Sequence, residues 1–217
     1  MKMSEEQRLR QEICKVGKQV YKKDFVASND GNFSVRLESG DYLVTPTNVS
    51  KGSMSPHQIV LINSDGEVLG DVKPSSEYKM HLQIYKYRED VKAIVHAHPP
   101  YSTAFAVAGI TIDDTILPEM AVSIGKVPIV EYETPSTQRL ADMVGDAARK
   151  HNAMLLANHG VVVLAEDLWS AYYNLERLEH VAKIIYLAKN LGTVNSIHPQ
   201  KIDELHDAFP AASRLKT

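Results

Sequence analysis

Residues 91–100 read Val91-Lys92-Ala93-Ile94-Val95-His96-Ala97-His98-Pro99-Pro100. A short apolar run closed by two prolines is a buried strand over residues 91–97, with a helix following over 101–108. Alternate residues on a strand point to the same face, so His96 and His98 project together from its end. Two neutral imidazoles side by side are a start for a divalent-metal site. The bland alternative is a pair of polar residues facing solvent at a strand terminus.

Towards the C-terminus, residues 127–132 read as a strand, and Pro135-Ser136-Thr137 caps a helix to about residue 150. Residues 153–157 and 161–165 are apolar strands separated by Asn158-His159-Gly160. His159 thus also sits at a strand end, either as a third metal ligand or as a plain turn residue. Catalytic zinc typically has three protein ligands and an open position. Asp167 caps a long helix to about residue 190, and a short helix is expected at 202–209. Residues 110–125 are ambiguous; Glu119 there reads best as the start of a short helix after Pro118.

Towards the N-terminus, Pro74-Ser75-Ser76-Glu77 opens a helix to about residue 88. Helix starts expose N–H groups and a partial positive charge, so Ser75 and Ser76 suit a phosphate or simply cap the helix. Glu77 serves the macrodipole or, near a metal, carries a proton. His81, one turn on, faces the same side. Gly31-Asn32 and Thr45-Pro46-Thr47-Asn48 are turns with further donors. Phe33, Val35 and Leu37 alternate as one strand face and residues 42–45 return. A second hairpin surrounds Asn63-Ser64-Asp65-Gly66. Ser4 and Gln7 have capping-box spacing ahead of Leu9, Ile13, Val16 and Val20. Early hairpins followed by strands alternating with helices predict a mixed sheet covered by helices.

The 217 residues carry 24 basic and 27 acidic side chains, a net charge of −3, which argues against a nucleic-acid partner. The length favours one large domain over 1–217. No apolar run of about 18 residues is present, so no membrane span is expected. Met1-Lys2-Met3-Ser4 begins no apolar targeting segment, and cytoplasmic location is the expectation. The single cysteine, Cys14, makes no internal disulfide and no thiolate cluster, so any metal site must use histidine and carboxylate. The remaining histidines (57, 151, 180, 198 and 206) read as surface residues. Trp169, Tyr172, Tyr173, Leu175 and Leu178, at helical spacing, read as core or subunit interface rather than a binding stripe.

In order, Gly31-Asn32-Phe33-Ser34-Val35-Arg36, Thr45-Pro46-Thr47, Pro74-Ser75-Ser76-Glu77, His96-Ala97-His98 and Asn158-His159-Gly160 form a series that resembles the class II aldolase/adducin-head superfamily, from about residue 5 to 190. The resemblance implies a three-layer α/β/α fold with a mixed, largely antiparallel sheet, and a homotetramer with interfacial sites. It implies zinc on His96, His98 and His159, Glu77 as acid/base, and phosphate binding by Gly31, Asn32, Thr47, Asn48, Ser75 and Ser76. Asn48 stands where the aldolases usually have glycine. Manganese or cobalt also suits three imidazoles. The expected reaction is cleavage of a phosphorylated ketose, of the L-fuculose-1-phosphate kind, to dihydroxyacetone phosphate and an aldehyde. Dehydration, decarboxylation or epimerisation of a sugar phosphate are the alternatives. The aldolases also use a tyrosine from a neighbouring subunit, and none occurs in 110–125. The epimerases use a tyrosine near the C-terminus, whereas the last one here is Tyr186. Adducin heads share the fold as interaction modules without the catalytic set, which this chain keeps. A Schiff-base aldolase is a further enzyme alternative, weighed against a histidine set that is complete.

Overall fold

The computed structural model describes residues 3–209. Helix α1 (Glu5–Lys22) starts where its cap directs: the Ser4 hydroxyl accepts from Gln7 N–H and the Gln7 side chain accepts from Ser4 N–H. Strands β1 (Asn32–Arg36) and β2 (Tyr42–Val44) form the first hairpin. A 3-10 turn at Pro56–Gln58 precedes the second, β3 (Val60–Ile62) and β4 (Val68–Leu69). Next come α2 (Tyr78–Tyr87), β5 (Ala93–Ala97), α3 (Pro100–Ala108) and α4 (Pro118–Ser123). The chain continues through β6 (Ile129–Val130), α5 (Gln138–Ala148), β7 (Ala153–Leu156), β8 (Gly160–Ala165), α6 (Leu168–Leu191) and α7 (Pro199–Ala208). Thr137 and Asp167 cap α5 and α6 through their side chains.

The strands form one sheet in the order β4-β3-β2-β1-β5-β8-β7-β6. Every neighbouring pair is antiparallel except β6 with β7. Helices cover both faces, giving three layers. On one side α1, α3, α4 and α6 bury Phe33, Val35, Val95, Val161 and Val163. On the other, α2 and α5 bury Ile94, Met154, Val162 and Leu164. Arg88, just past α2, donates to Ala148 O at 2.8 Å and Asn152 Oδ1 at 3.0 Å, tying α2 to the end of α5.

Three elements differ from the sequence expectation. Helix α2 begins at Tyr78, with Glu77 as its cap rather than in its first turn. Pro74 bridges to Pro46, and Ser75 N–H donates to Thr45 O at 2.9 Å, so the segment is extended through Ser75 and only then turns, at Ser76 and Glu77, into the helix. The expected strand 127–132 shrinks to two residues: Pro128 has no N–H to offer, and Tyr132 is exposed. The last helix begins at Pro199, three residues early, behind a His198 cap. Residues 110–125 hold α4, with Glu119 in its first turn.

Candidate metal centre and cleft

The β5–β8 pairing sets Ala97 opposite Val161, which brings the β7–β8 turn beside the end of β5. His96, His98 and His159 therefore converge, one ligand atom from each lying within 4.8 Å of the others. Two glycines permit the approach. A Cβ on Gly160 would lie 2.5 Å from Ala97 O and from the His98 ring. One on Gly31, at φ +74°, would lie 2.9 Å from His96 O. Behind His98, the buried Glu179 of α6 accepts from the N–H groups of Tyr101 and Ser102 at 2.8 Å, fixing the start of α3.

The His96 Nδ1 lies 2.9 Å from Val161 O. A carbonyl only accepts, so Nδ1 donates to it and Nε2 is the nitrogen turned toward the other site residues. That Nε2 lies 3.1 Å from His98 Nε2 and 3.3 Å from Glu77 Oε2. Burial, then the neighbouring charge of His96, pushes His98 down to about 3 and His159 down to about 4, so both are neutral at ordinary pH. Burial pushes the Glu77 carboxyl up. His96, then His159 and the Asn32 amide, outweigh this and hold it well below the usual range. Glu77 Oε1, 3.7 Å from His159 Nε2, is buried without a hydrogen-bond partner among the described residues. Three converging imidazoles beside an orphaned carboxylate oxygen fit a divalent cation, the donor set that holds zinc.

Glu77 is held from behind. Asn32 Nδ2 donates to Glu77 Oε2 at 2.9 Å, and Asn32 Oδ1 lies 2.6 Å from His81 Nε2. His81 Nδ1 lies 2.7 Å from Ser34 Oγ, which lies 2.8 Å from Tyr85 OH. Because the Asn32 oxygen can only accept, His81 carries its proton on Nε2, and Ser34 donates to Nδ1. Burial holds His81 down to about 3, hence neutral. The i+4 spacing from Glu77 exposes His81 to sequence reading; its partners on β1 do not show there.

Gly31, Asn32, Thr47, Asn48, Ser75 and Ser76 all line one cleft of about 230 Å³ with Glu77, His98 and His159. Within it, the Asn32 side chain is committed to Glu77 and His81, and the Ser75 hydroxyl lies 3.4 Å from Glu77 N. Thr47 is half-buried, while Asn48 and Ser76 are exposed. Asn48 takes φ +57°, the left-handed conformation that asparagine tolerates and glycine favours. Lys51 also lines this cleft. The sequence reading passed over it, for it sits in a loop without periodicity. Yet it is buried, and that burial pushes its ammonium down to about 8. His57, His180, His198 and His206 are exposed and His151 is half-buried. Tyr172, Leu175 and Leu178 are core residues, whereas Tyr173 is exposed. Among the described residues no helix is long and apolar enough to cross a membrane.

The family model described as Class II Aldolase and Adducin N-terminal domain matches residues 11–186. A 3-oxo-tetronate 4-phosphate decarboxylase from Pectobacterium atrosepticum is 36% identical over 189 residues, 85% of this chain and 87% of that protein. A 5-deoxy-D-ribulose 1-phosphate aldolase from Bacillus thuringiensis is 33% identical, covering 94% of this chain and 96% of its own. A solved L-fuculose 1-phosphate aldolase superposes with a TM-score of 0.88 at 32% identity, over 96% of this chain and 98% of that one.

Proposed function

Because the chain belongs to the class II aldolase/adducin superfamily, we propose that it is a metal-dependent lyase that decarboxylates a phosphorylated 3-oxo sugar acid, of the 3-oxo-tetronate 4-phosphate kind. The observation that carries this reading is Glu77 Oε1, a buried carboxylate oxygen without a partner, facing three imidazoles. A divalent ion on His96, His98 and His159, zinc by preference, would supply positive charge to an enediolate.

The chemistry assigns Glu77 one task. Loss of carbon dioxide breaks the C1–C2 bond, and its electron pair moves into the C2–C3 bond and the C3 oxygen. Glu77, anionic at rest, takes the proton of the C2 hydroxyl and returns it to the C2 carbon. A solvent proton restores the hydroxyl, and dihydroxyacetone phosphate leaves. Asn32 holds Oε2, which leaves Oε1 to move the proton. Thr47, Asn48, Ser75 and Ser76 would hold the phosphate at the other end of the cleft, orienting C2 against Glu77.

Aldol cleavage of a phosphorylated ketose is the second reading, favoured by the aldolases among the relatives. It yields the same enediolate but needs a second group to take the hydroxyl proton of the departing aldehyde. Decarboxylation needs none, since carbon dioxide leaves without a proton. The cleft contains no tyrosine, and residues 110–125 contain none to lend a neighbour. We assign residues 1–217 to one catalytic domain acting in the cytoplasm as a homotetramer, an assembly that sedimentation tests. Turnover of 3-oxo-tetronate 4-phosphate by metal-loaded protein, with release of carbon dioxide and loss in Glu77→Gln, is the expected result. Release of an aldehyde from a ketose 1-phosphate, with the 3-oxo acid untouched, would overturn decarboxylation in favour of the aldolase.

A further inference from the structure

Lys51 follows the Thr47-Asn48 turn and is 1% exposed. Its ammonium donates to Asn29 O at 2.8 Å and Val49 O at 2.9 Å. That uses two of its three N–H groups. Among the described residues it forms no ion pair: Asp30, which lines the same cleft, acts on it only through space. A buried ammonium without a carboxylate beside it is unfavourable unless an anion arrives. Its position is imposed by the scaffold. A Cβ on Gly17 of α1 would lie 2.6 Å from Lys51 O, and one on Gly52 would lie 2.7 Å from the Tyr21 ring, so α1 is pressed against this loop.

Lys51 is also the single lysine or arginine among the described residues that line the cleft. The residues assigned above to the phosphate supply hydroxyls and N–H groups but no positive charge. A phosphate monoester is close to a dianion at neutral pH. From this juxtaposition, an unpaired buried ammonium beside an uncharged polar cradle, we infer that Lys51 is the cation that binds the substrate's phosphate. The inference rests on the proposed reading of that cradle. It makes Lys51 a specificity residue, selecting phosphorylated over free sugar acids, while Glu77 and the imidazoles act on the far end of the substrate.

The competing role is mechanical: Lys51 ties the 29–31 turn to the 47–51 loop. Two variants separate them. Lys51→Gln keeps amide donors for the loop carbonyls and removes the charge, and Lys51→Met removes both. Binding of inorganic phosphate to the metal-loaded protein is measured by calorimetry, alongside thermal melting and steady-state kinetics. Phosphate affinity about 10–100-fold weaker in both variants is expected. KM for the phosphorylated substrate should rise by a similar factor and kcat change less. Wild-type phosphate affinity in Lys51→Gln, with a lowered melting temperature in Lys51→Met alone, would make Lys51 a loop tie and overturn the inference. Phosphate bound by wild type but not by Lys51→Gln, with no 3-oxo acid turned over, would support Lys51 and sink the decarboxylase instead. A wild type that binds no phosphate would overturn the inference even if turnover is found.

Discussion

The two faces of the β1–β5 pair are equally buried and chemically opposite. Phe33 and Val35 on β1 lie opposite Val95 and Ala93 on β5, and pack beneath α1 and α6 in an apolar core. Asn32 and Ser34, one residue away on the other face, lie opposite His96 and Ile94 and meet α2. There Asn32, Ser34, His81 and His96 are at most 3% exposed. Buried polar groups are tolerated only when bonded. From Tyr85 to Glu77 each finds its partner, until the chain ends on the orphaned Glu77 Oε1. One face is wholly apolar, and the other, beside the apolar Ile94, carries a polar chain that ends at the cleft on Glu77 Oε1. A one-residue slip of β1 would exchange them.

The sharpest way to break this contrast is at its polar end. His96→Ala should abolish stoichiometric metal binding and activity together. Glu77→Gln should retain metal and lose activity by about 10²–10⁴-fold, the range for a positioned acid/base. Metal analysis beside single-turnover assays checks both. A fully active Glu77→Gln enzyme would remove the assigned role of Oε1.

On the opposite face, Phe33→Ala should destabilise the fold by about 3–5 kcal/mol through the cavity it leaves. Activity per folded molecule should stay within a few-fold, because no atom of Phe33 enters the polar network. Urea denaturation combined with active-site titration measures the two separately. A large loss of kcat at unchanged folded fraction would show that the faces are coupled.

The middle of the network should respond between these extremes. His81→Leu removes the donor to Asn32 Oδ1 and frees the amide to turn its oxygen toward Glu77. We expect kcat to fall about 10–100-fold, the usual loss when a group behind a ligand or catalytic residue is removed. KM and metal content should hold. His81→Gln, which retains an N–H donor, should recover part of kcat. Equal losses in both variants, tracking only their melting temperatures, would reduce His81 to a packing residue.

This two-faced arrangement was legible in the sequence only in part. Alternation exposed Phe33, Val35 and Leu37 as a core stripe, and the same period placed His96 and His98 on one side of β5. Caps at Ser4, Thr137 and Asp167 are local signals, and each operates as its residue type dictates. What escaped depends on long-range partners. Glu77 precedes α2 because Ser75 pairs with Thr45, thirty residues earlier. Lys51 is buried because Gly17 lets α1 press on its loop. Asn32 looked like a turn donor, but its amide is taken up by Glu77 and His81.

The smallest effect distinguishes the faces by titration, since only one of them binds protons. In the folded chain His81 is held down to about 3, against an ordinary value near 6.5. Between those values the unfolded chain carries the proton and the folded chain does not. Stability therefore rises with pH through that window, is fully present above about 6.5, and is lost as the pH falls. His98 and His159, also held low, act with the same sign, as does the depressed Glu77 carboxyl at still lower pH. Each imidazole contributes at most about 1.4 kcal/mol per pH unit. In chelator-treated protein, the urea midpoint should fall steadily from pH 6.5 to 4.5. The fall should be shallower by up to one proton in His81→Gln and unchanged in Phe33→Ala. A midpoint flat across this range would mean that the imidazoles are not held neutral by burial. The polar face would then be wetter than its geometry describes, and His81 would be free to carry charge beside Asn32.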